Sequence, residues 1–133
     1  MSSPVNSQVI AIAVVHREEH YLIGQRPENV ALAGLWEFPG GKVEPGDSSP
    51  ADAACRECLE ETGIEVVIER PLTEVRHAYP HGTLELHFFL ARPLDSHAEP
   101  RGSFRWVPRD QMLRLEFPPA NQLVLEQIGA ARY

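Results

Sequence analysis

The sequence predicts a mixed α/β or α+β sandwich, and three observations carry that expectation. Residues 9–15 form a nearly unbroken apolar run rich in Val and Ile, which suits a strand buried on both faces. Residues 83–92 read as a clear strand, with Leu84, Leu86, Phe88 and Leu90 on one face and Glu85, His87 and Phe89 on the other. Between them, Ser49-Pro50-Ala51-Asp52 opens a helix that Gly63 closes. Strands surrounding two helices within one short chain favour a layered sandwich.

Each element follows in order. After the first strand, residues 16–20 are a polar turn and residues 21–25 a returning strand. Residues 26–35, with Pro27 and Gly34, read as a loop. Trp36-Glu37-Phe38 is a short extended piece, which Pro39-Gly40-Gly41 is expected to break sharply. In the helix start, Ser49 caps, Pro50 suits the first helical position, and Asp52 completes a capping box or favours the dipole. The helix should run to Thr62. Residues 66–68 and 72–78 read as two strands, and Pro80-His81-Gly82 as a turn into the alternating strand. Residues 96–103 are a loop, 104–107 a short strand and 110–113 a helical turn. A final amphipathic helix follows Pro118-Pro119 and ends near Ile128-Gly129.

At 133 residues and 14.9 kDa the chain is expected to form one domain over 1–133. Its 43% hydrophobic and 23% charged residues argue against disorder. No apolar run approaches a membrane span, and no basic region precedes the first apolar stretch. With no framework of cysteines, a reducing, cytoplasmic setting is expected. The charge sum, 12 minus 19, is −7. Nucleic acid polymers and anionic membranes need a basic surface, so neither is an expected partner. A small anionic ligand is compatible with that charge if a divalent cation stands between.

Cys55 and Cys58 have C-x-x-C spacing but lie inside the helix rather than at its N-terminus. A redox pair needs its thiolate stabilised there, and a structural zinc needs two more ligands. Two small buried helix residues is the better reading. His77 and His81 are separated by Pro80, so they flank a hairpin turn rather than form a helical ligand pair.

The chemistry concentrates in the first helix. Glu57, Glu60 and Glu61 stand at i, i+3 and i+4, so three carboxylates share one face. Their mutual repulsion asks for a counter-charge. Mg²⁺ fits, because it takes oxygen ligands from a few carboxylates and from substrate phosphates; Mn²⁺ is the alternative ion. Gly40-Gly41 lets the backbone approach and offer a carbonyl or amide. Arg56, four residues before Glu60, can hold a carboxylate in register.

Gly41-Lys42-Val43-Glu44-Pro45-Gly46-Asp47 followed by Arg56-Glu57-Cys58-Leu59-Glu60-Glu61-Thr62-Gly63-Ile64 resembles the Nudix box, G-x5-E-x7-R-E-U-x-E-E-x-G-U, where U is a bulky apolar residue. The second half matches throughout. The first half departs: Asp47 stands where Glu is usual, and eight residues rather than seven precede Arg56. Either the loop before Ser49 holds one extra residue or the pattern's Glu has no equivalent. The resemblance implies an α/β/α sandwich around a mixed sheet, with the box as a loop-helix-loop. It implies hydrolysis of a nucleoside diphosphate linked to another group. Glu57, Glu60 and Glu61 would ligate the metal, with the Gly40 carbonyl adding to the set, and a metal-activated water would attack phosphorus.

Three further runs resemble the MutT-type nucleoside triphosphate pyrophosphohydrolases. Residues 34–42 match the run before the box, including Phe38 and Lys42. Arg26 stands where that group places an Arg near the substrate phosphates. Phe117-Pro118-Pro119-Ala120-Asn121 resembles the segment carrying a base-reading Asn. The chemistry suits 8-oxoguanine, whose N7 carries a hydrogen: Oδ1 accepts from it while Nδ2 donates to O6. Guanine offers two acceptors to that fork, and an unpaired buried group costs roughly 1–3 kcal/mol. Helix capping is the alternative job for Asn121. Phe38, Trp36 and Phe89 are candidate walls for a flat base. The expected substrate is therefore 8-oxo-dGTP or another oxidised nucleoside triphosphate, cleaved to monophosphate and pyrophosphate by a monomer or homodimer. CTP or a modified dCTP is the alternative substrate, and a non-catalytic nucleotide-binding module the alternative class. Glu99, Glu44 and Glu61 are the candidates for the catalytic base.

Overall fold

The structure is a computed structural model that describes residues 7–29 and 33–130. The N-terminal stretch read as lacking a leader and residues 30–32 of the expected loop lie outside the described residues, apart from Ser7.

Strand β1 (Gln8–Arg17) is the spine. It turns through Glu18 and Glu19 into β2 (His20–Gln25), with Glu18 at φ 55°. β3 (Trp36–Glu37) pairs with one edge of β2, and β7 (Phe104–Pro108) with the other. β4 (Gly40–Lys42) lies antiparallel to β1, with Ala11 opposite Gly41. On the far side of β1, β6 (Gly82–Pro93) runs parallel to it, and β5 (Val66–Tyr79) closes that edge antiparallel to β6. Both senses of pairing make the sheet mixed, as expected.

Helix α1 (Pro50–Thr62) covers one face and α3 (Gln122–Ala130) the other. The alternation of β1 divides its side chains between these layers. Ala11, Ala13 and Val15 pack with Ala53, Ala54 and Cys58 of α1. Ile12 and Val14 pack with Val124 and Ile128 of α3, and with Met112 of the short helix α2 (Arg109–Met112). Small residues on both sides of the first contact let α1 lie close to the sheet. That face of α1 is buried, and the carboxylates flank it, with Glu57 and Glu61 turned to β4.

Two expectations need correction. The chain breaks after β3 at Phe38-Pro39, as expected, but Gly40-Gly41 is not part of the break, because it begins β4 and pairs with β1. Residues 66–68 and 72–78 are parts of one strand, interrupted between Ile68 and Arg70 and between Pro71 and Glu74. Pro71 has no N–H to give a ladder, and an edge strand with bulges tolerates it. The last segment begins as a 3₁₀ turn, Pro119–Asn121, before α3. Among the described residues no helix is long and apolar enough to cross a membrane.

Candidate active site

The helix that carries the three carboxylates is built as its sequence dictates. Ser49 is extended and its Oγ accepts from the Asp52 N–H at 3.1 Å. Pro50 fills the first helical position. Gly63 adopts φ 80°, and its N–H returns to the Leu59 carbonyl at 2.9 Å. Cys58 is fully buried against the sheet, and Cys55 is partly buried. Burial pushes both thiols up, Cys58 to about 11, which is the reverse of a redox pair.

Arg56 organises the loop in front of the helix. Its Nε and one terminal nitrogen donate to the two oxygens of Asp47 at 2.8 and 3.0 Å. That terminal nitrogen also donates to the Lys42 carbonyl at 3.1 Å. The other terminal nitrogen donates to Glu57 at 3.2 Å and Glu60 at 3.1 Å. Asp47 in turn accepts from the Glu44 N–H at 2.7 Å. The guanidinium and that N–H hold the Asp47 carboxyl below the usual carboxylate range. Asp47 thus engages Arg56 from the loop before the helix.

β4 brings the glycines against the acids. The Gly40 N–H donates to Glu61 Oε1 at 2.9 Å. A Cβ on Gly41 would overlap the Glu57 carboxyl, lying 2.6 Å from each of its oxygens. Only glycine leaves that space. Burial of its carboxylate pushes Glu61 up to about 7, opposed by the Gly40 N–H and reinforced by Glu57, Glu37 and Glu60. The residue as a whole stays open to water, so the shift belongs to the end that meets β4.

Three oxygen-donor side chains on one helix face fit a hard divalent cation. In the conformers seen, Glu57 and Glu60 turn to Arg56, and Glu61 turns to Gly40. Among the described residues no three His, Cys, Asp or Glu side chains converge to metal-binding distance. Ligation would swing these carboxylates off their present donors.

Arg26 donates to Glu37 Oε1 at 2.9 Å, and Glu37 is one of the charges felt by Glu61. Arg26 is thus paired with Glu37, a residue the sequence reading left without a role. The strand alternation of Trp36 and Glu37 was the available signal. Beside Arg26 an open groove of about 550 Å³ runs between Glu28, Gly102, Ser103, Phe104 and Arg105. Lys42 is exposed and contributes its carbonyl to Arg56.

On the other side of β3–β4, Phe38 is buried and stacks on Phe117, with ring centroids 5.2 Å apart at 25°. Asn121 lies four residues on and is only 8% exposed. Its Nδ2 donates to the Pro118 carbonyl at 3.3 Å, so the amide turns back on its own 3₁₀ turn. Trp36 shares this layer, and the Arg105 guanidinium lies over its ring at 4.8 Å. Phe89 does not join them. It packs in the α1 layer, because it falls on the opposite face of β6 from Phe88.

Glu99 also stands apart. Its side chain is 71% exposed and meets Arg17 at 3.3 Å, in the loop before β7. Of the candidate bases, Glu61 lies in the carboxylate group and Glu44 stands 3.9 Å from Arg56. His87 sits between Glu85 at 3.1 Å and Glu74 at 3.4 Å, while His77 and His81 lie at the β5–β6 hairpin end.

Known proteins place this arrangement. The Nudix domain family model matches residues 10–127. The chain is 31% identical over 125 residues to the CTP pyrophosphohydrolase of Escherichia coli K12, spanning 92% of each. It is 36% identical over 98 residues to the 8-oxo-dGTP diphosphatase of Proteus vulgaris, spanning 73% of this chain and 87% of that protein. Among solved structures, the Escherichia coli ORF135 protein superposes with a TM-score of 0.76 at 29% identity, covering 98% of both chains. MutT, from a study of the Aliivibrio salmonicida and Vibrio cholerae enzymes, gives 0.73 at 27% identity, covering 94% of this chain and 98% of that one. Enzymes of the family generally need a divalent metal, and the relatives' names specify small nucleotide substrates. The box helix, its glycine strand and these similarities agree: the chain belongs to the Nudix family, as a MutT-type hydrolase that acts on acid anhydrides.

Proposed function

We propose that the protein hydrolyses oxidised purine nucleoside triphosphates, 8-oxo-dGTP foremost, to the monophosphate and pyrophosphate, with Mg²⁺ or in its place Mn²⁺. Its role would be sanitation of the nucleotide pool. The observation that carries this reading is Asn121. Buried four residues after Phe117, which stacks on Phe38, it anchors one Nδ2 hydrogen on Pro118. That leaves Oδ1 to accept from the N7–H of the oxidised base and the second Nδ2 hydrogen to donate to O6.

Glu57, Glu60 and Glu61, with the Gly40 carbonyl, would hold the metal. A divalent ion held by them would supply charge to neutralise the substrate phosphates and to acidify a water. Arg56 keeps Glu57 and Glu60 on one side of the helix and ties them to the Asp47 loop. Arg26 and Lys42 supply positive charge for the phosphates. Glu44 and Glu61 stand at this site, whereas Glu99 reaches it only by leaving Arg17. A net charge of −7 suits a small nucleotide held through a cation and disfavours nucleic acid polymers and membranes. A cytoplasmic single-domain monomer or homodimer fits the same reading.

A second reading keeps the chemistry and changes the base. The similarity to a CTP pyrophosphohydrolase across 92% of both chains favours CTP or a modified dCTP. Initial rates with Mg²⁺ on 8-oxo-dGTP, dGTP, CTP and 5-methyl-dCTP separate the two. A kcat/KM roughly 100-fold higher for 8-oxo-dGTP than for dGTP supports Asn121 as the base reader. Preference for the pyrimidines establishes the second reading.

A further inference from the structure

The last turn of α1 carries Glu60 and Glu61, yet the helix has no basic residue of its own in that turn. A helix ends with four carbonyls lacking intrahelical partners and with the negative end of its dipole. Gly63 satisfies one, the Leu59 carbonyl. Two more are satisfied by a single residue from a distant loop. The Arg101 guanidinium donates to the Glu60 carbonyl at 2.9 Å, and its backbone N–H donates to the Thr62 carbonyl at 3.0 Å. The guanidinium lies against Gly63, where a Cβ would stand 3.2 Å from Nη1.

Arg101 does this from a held position. The same loop is pinned to the end of β1, because Arg17 donates to the Ala98 carbonyl at 2.8 Å and to the Ser96 carbonyl at 3.2 Å. Trp106 Nε1 donates to the Ala98 carbonyl at 3.2 Å, and the Arg17 guanidinium lies over the Trp106 ring at 4.2 Å. The loop is thus a strap fixed to the sheet at one end and to the C-terminus of α1 at the other.

We infer that Arg101 is a positioning residue. It clamps the final turn of α1 to the strap and so sets the register of the Glu60 and Glu61 carboxylates. This rests on the reading of those carboxylates as metal ligands. Arg101 touches neither the metal nor the substrate. Its side chain acts through the Glu60 carbonyl and through positive charge at the end of the helix.

The test uses Arg101→Ala and Arg101→Lys in the full chain. The first readout is amide hydrogen exchange without metal. Arg101→Ala should raise exchange at residues 60–64 by about tenfold or more and leave β1 and β6 unchanged, with Lys partly restoring protection. The second is direct Mn²⁺ binding followed by EPR of the free ion. Here Arg101→Ala should weaken affinity about five- to tenfold, while kcat at saturating metal changes little. Unchanged local exchange overturns the clamp. Raised exchange with wild-type Mn²⁺ affinity overturns its effect on the carboxylates. Wild-type protein that binds no Mn²⁺ overturns the metal reading itself, and with it the register claim; the exchange readout then decides the clamp alone.

Discussion

The Gly40 N–H donates to Glu61 Oε1 at 2.9 Å, which joins the first residue of a Gly-Gly pair on β4 to the last turn of α1. One hydrogen bond therefore ties the strand that leads into the Nudix box to the helix that carries its carboxylates. It also fixes one carboxylate in a crowd of others, with consequences for stability as well as for chemistry.

Glu61 should make the metal-free protein less stable as pH rises. Its carboxyl is pushed up to about 7 in the folded chain, above the ordinary value of 4.5. The folded state thus holds the proton more tightly than the unfolded state. The corresponding stability is complete below the unfolded pKa and is lost as pH climbs through about 7. Glu61→Gln should accordingly gain Tm relative to wild type between pH 5 and pH 8 in EDTA, by about 2–4 °C after allowance for solvent access. A difference that does not change with pH would show that Glu61 ionises normally.

Arg56→Lys should be costly despite keeping the charge. Lysine cannot donate in parallel to both oxygens of Asp47 while reaching Glu57, Glu60 and the Lys42 carbonyl. We expect kcat/KM to fall roughly 10- to 100-fold. Steady-state kinetics across a metal titration checks this. Wild-type kinetics in the lysine variant would mean that the charge alone suffices.

Gly41→Ala should displace Glu57, whose carboxyl occupies the space the new methyl needs. Strand β4 stays paired with β1, so the fold should survive by circular dichroism. Activity should fall about tenfold or more, with the concentration of metal for half-maximal rate raised. Normal metal dependence would show that Glu57 moves aside freely.

Asn121→Ala should separate the two substrate readings. If Asn121 reads the oxidised purine, its loss should cost 8-oxo-dGTP about 5- to 150-fold in kcat/KM and leave CTP nearly unchanged. Equal losses on both substrates would assign Asn121 to structure, through its bond to Pro118.

Much of this protein was legible from local signals. The cap at Ser49, the stop at Gly63 and the alternation of residues 83–92 all appear where short-range rules put them. The carboxylate face of α1 is a matter of helical spacing alone. The departures arise where partners are remote in sequence. β4 exists because two residues without side chains can lie against β1. β5 is continuous because an edge strand absorbs Pro71. Phe89 and Phe38 fall in different layers because the pairing of β6 with β1 assigns each face of β6 to a helix.

The sequence by itself determined the sandwich class, the box helix and the shared face of its three carboxylates, because helix periodicity and caps act within a few residues. Tertiary structure alone decided which groups those carboxylates meet. Asp47 on Arg56, Glu37 on Arg26, Phe117 on Phe38, Glu99 on Arg17 and Arg101 on the end of α1 all join separate segments. Such contacts depend on how the sheet orders its strands and how the loops return over it, and no local pattern encodes that order.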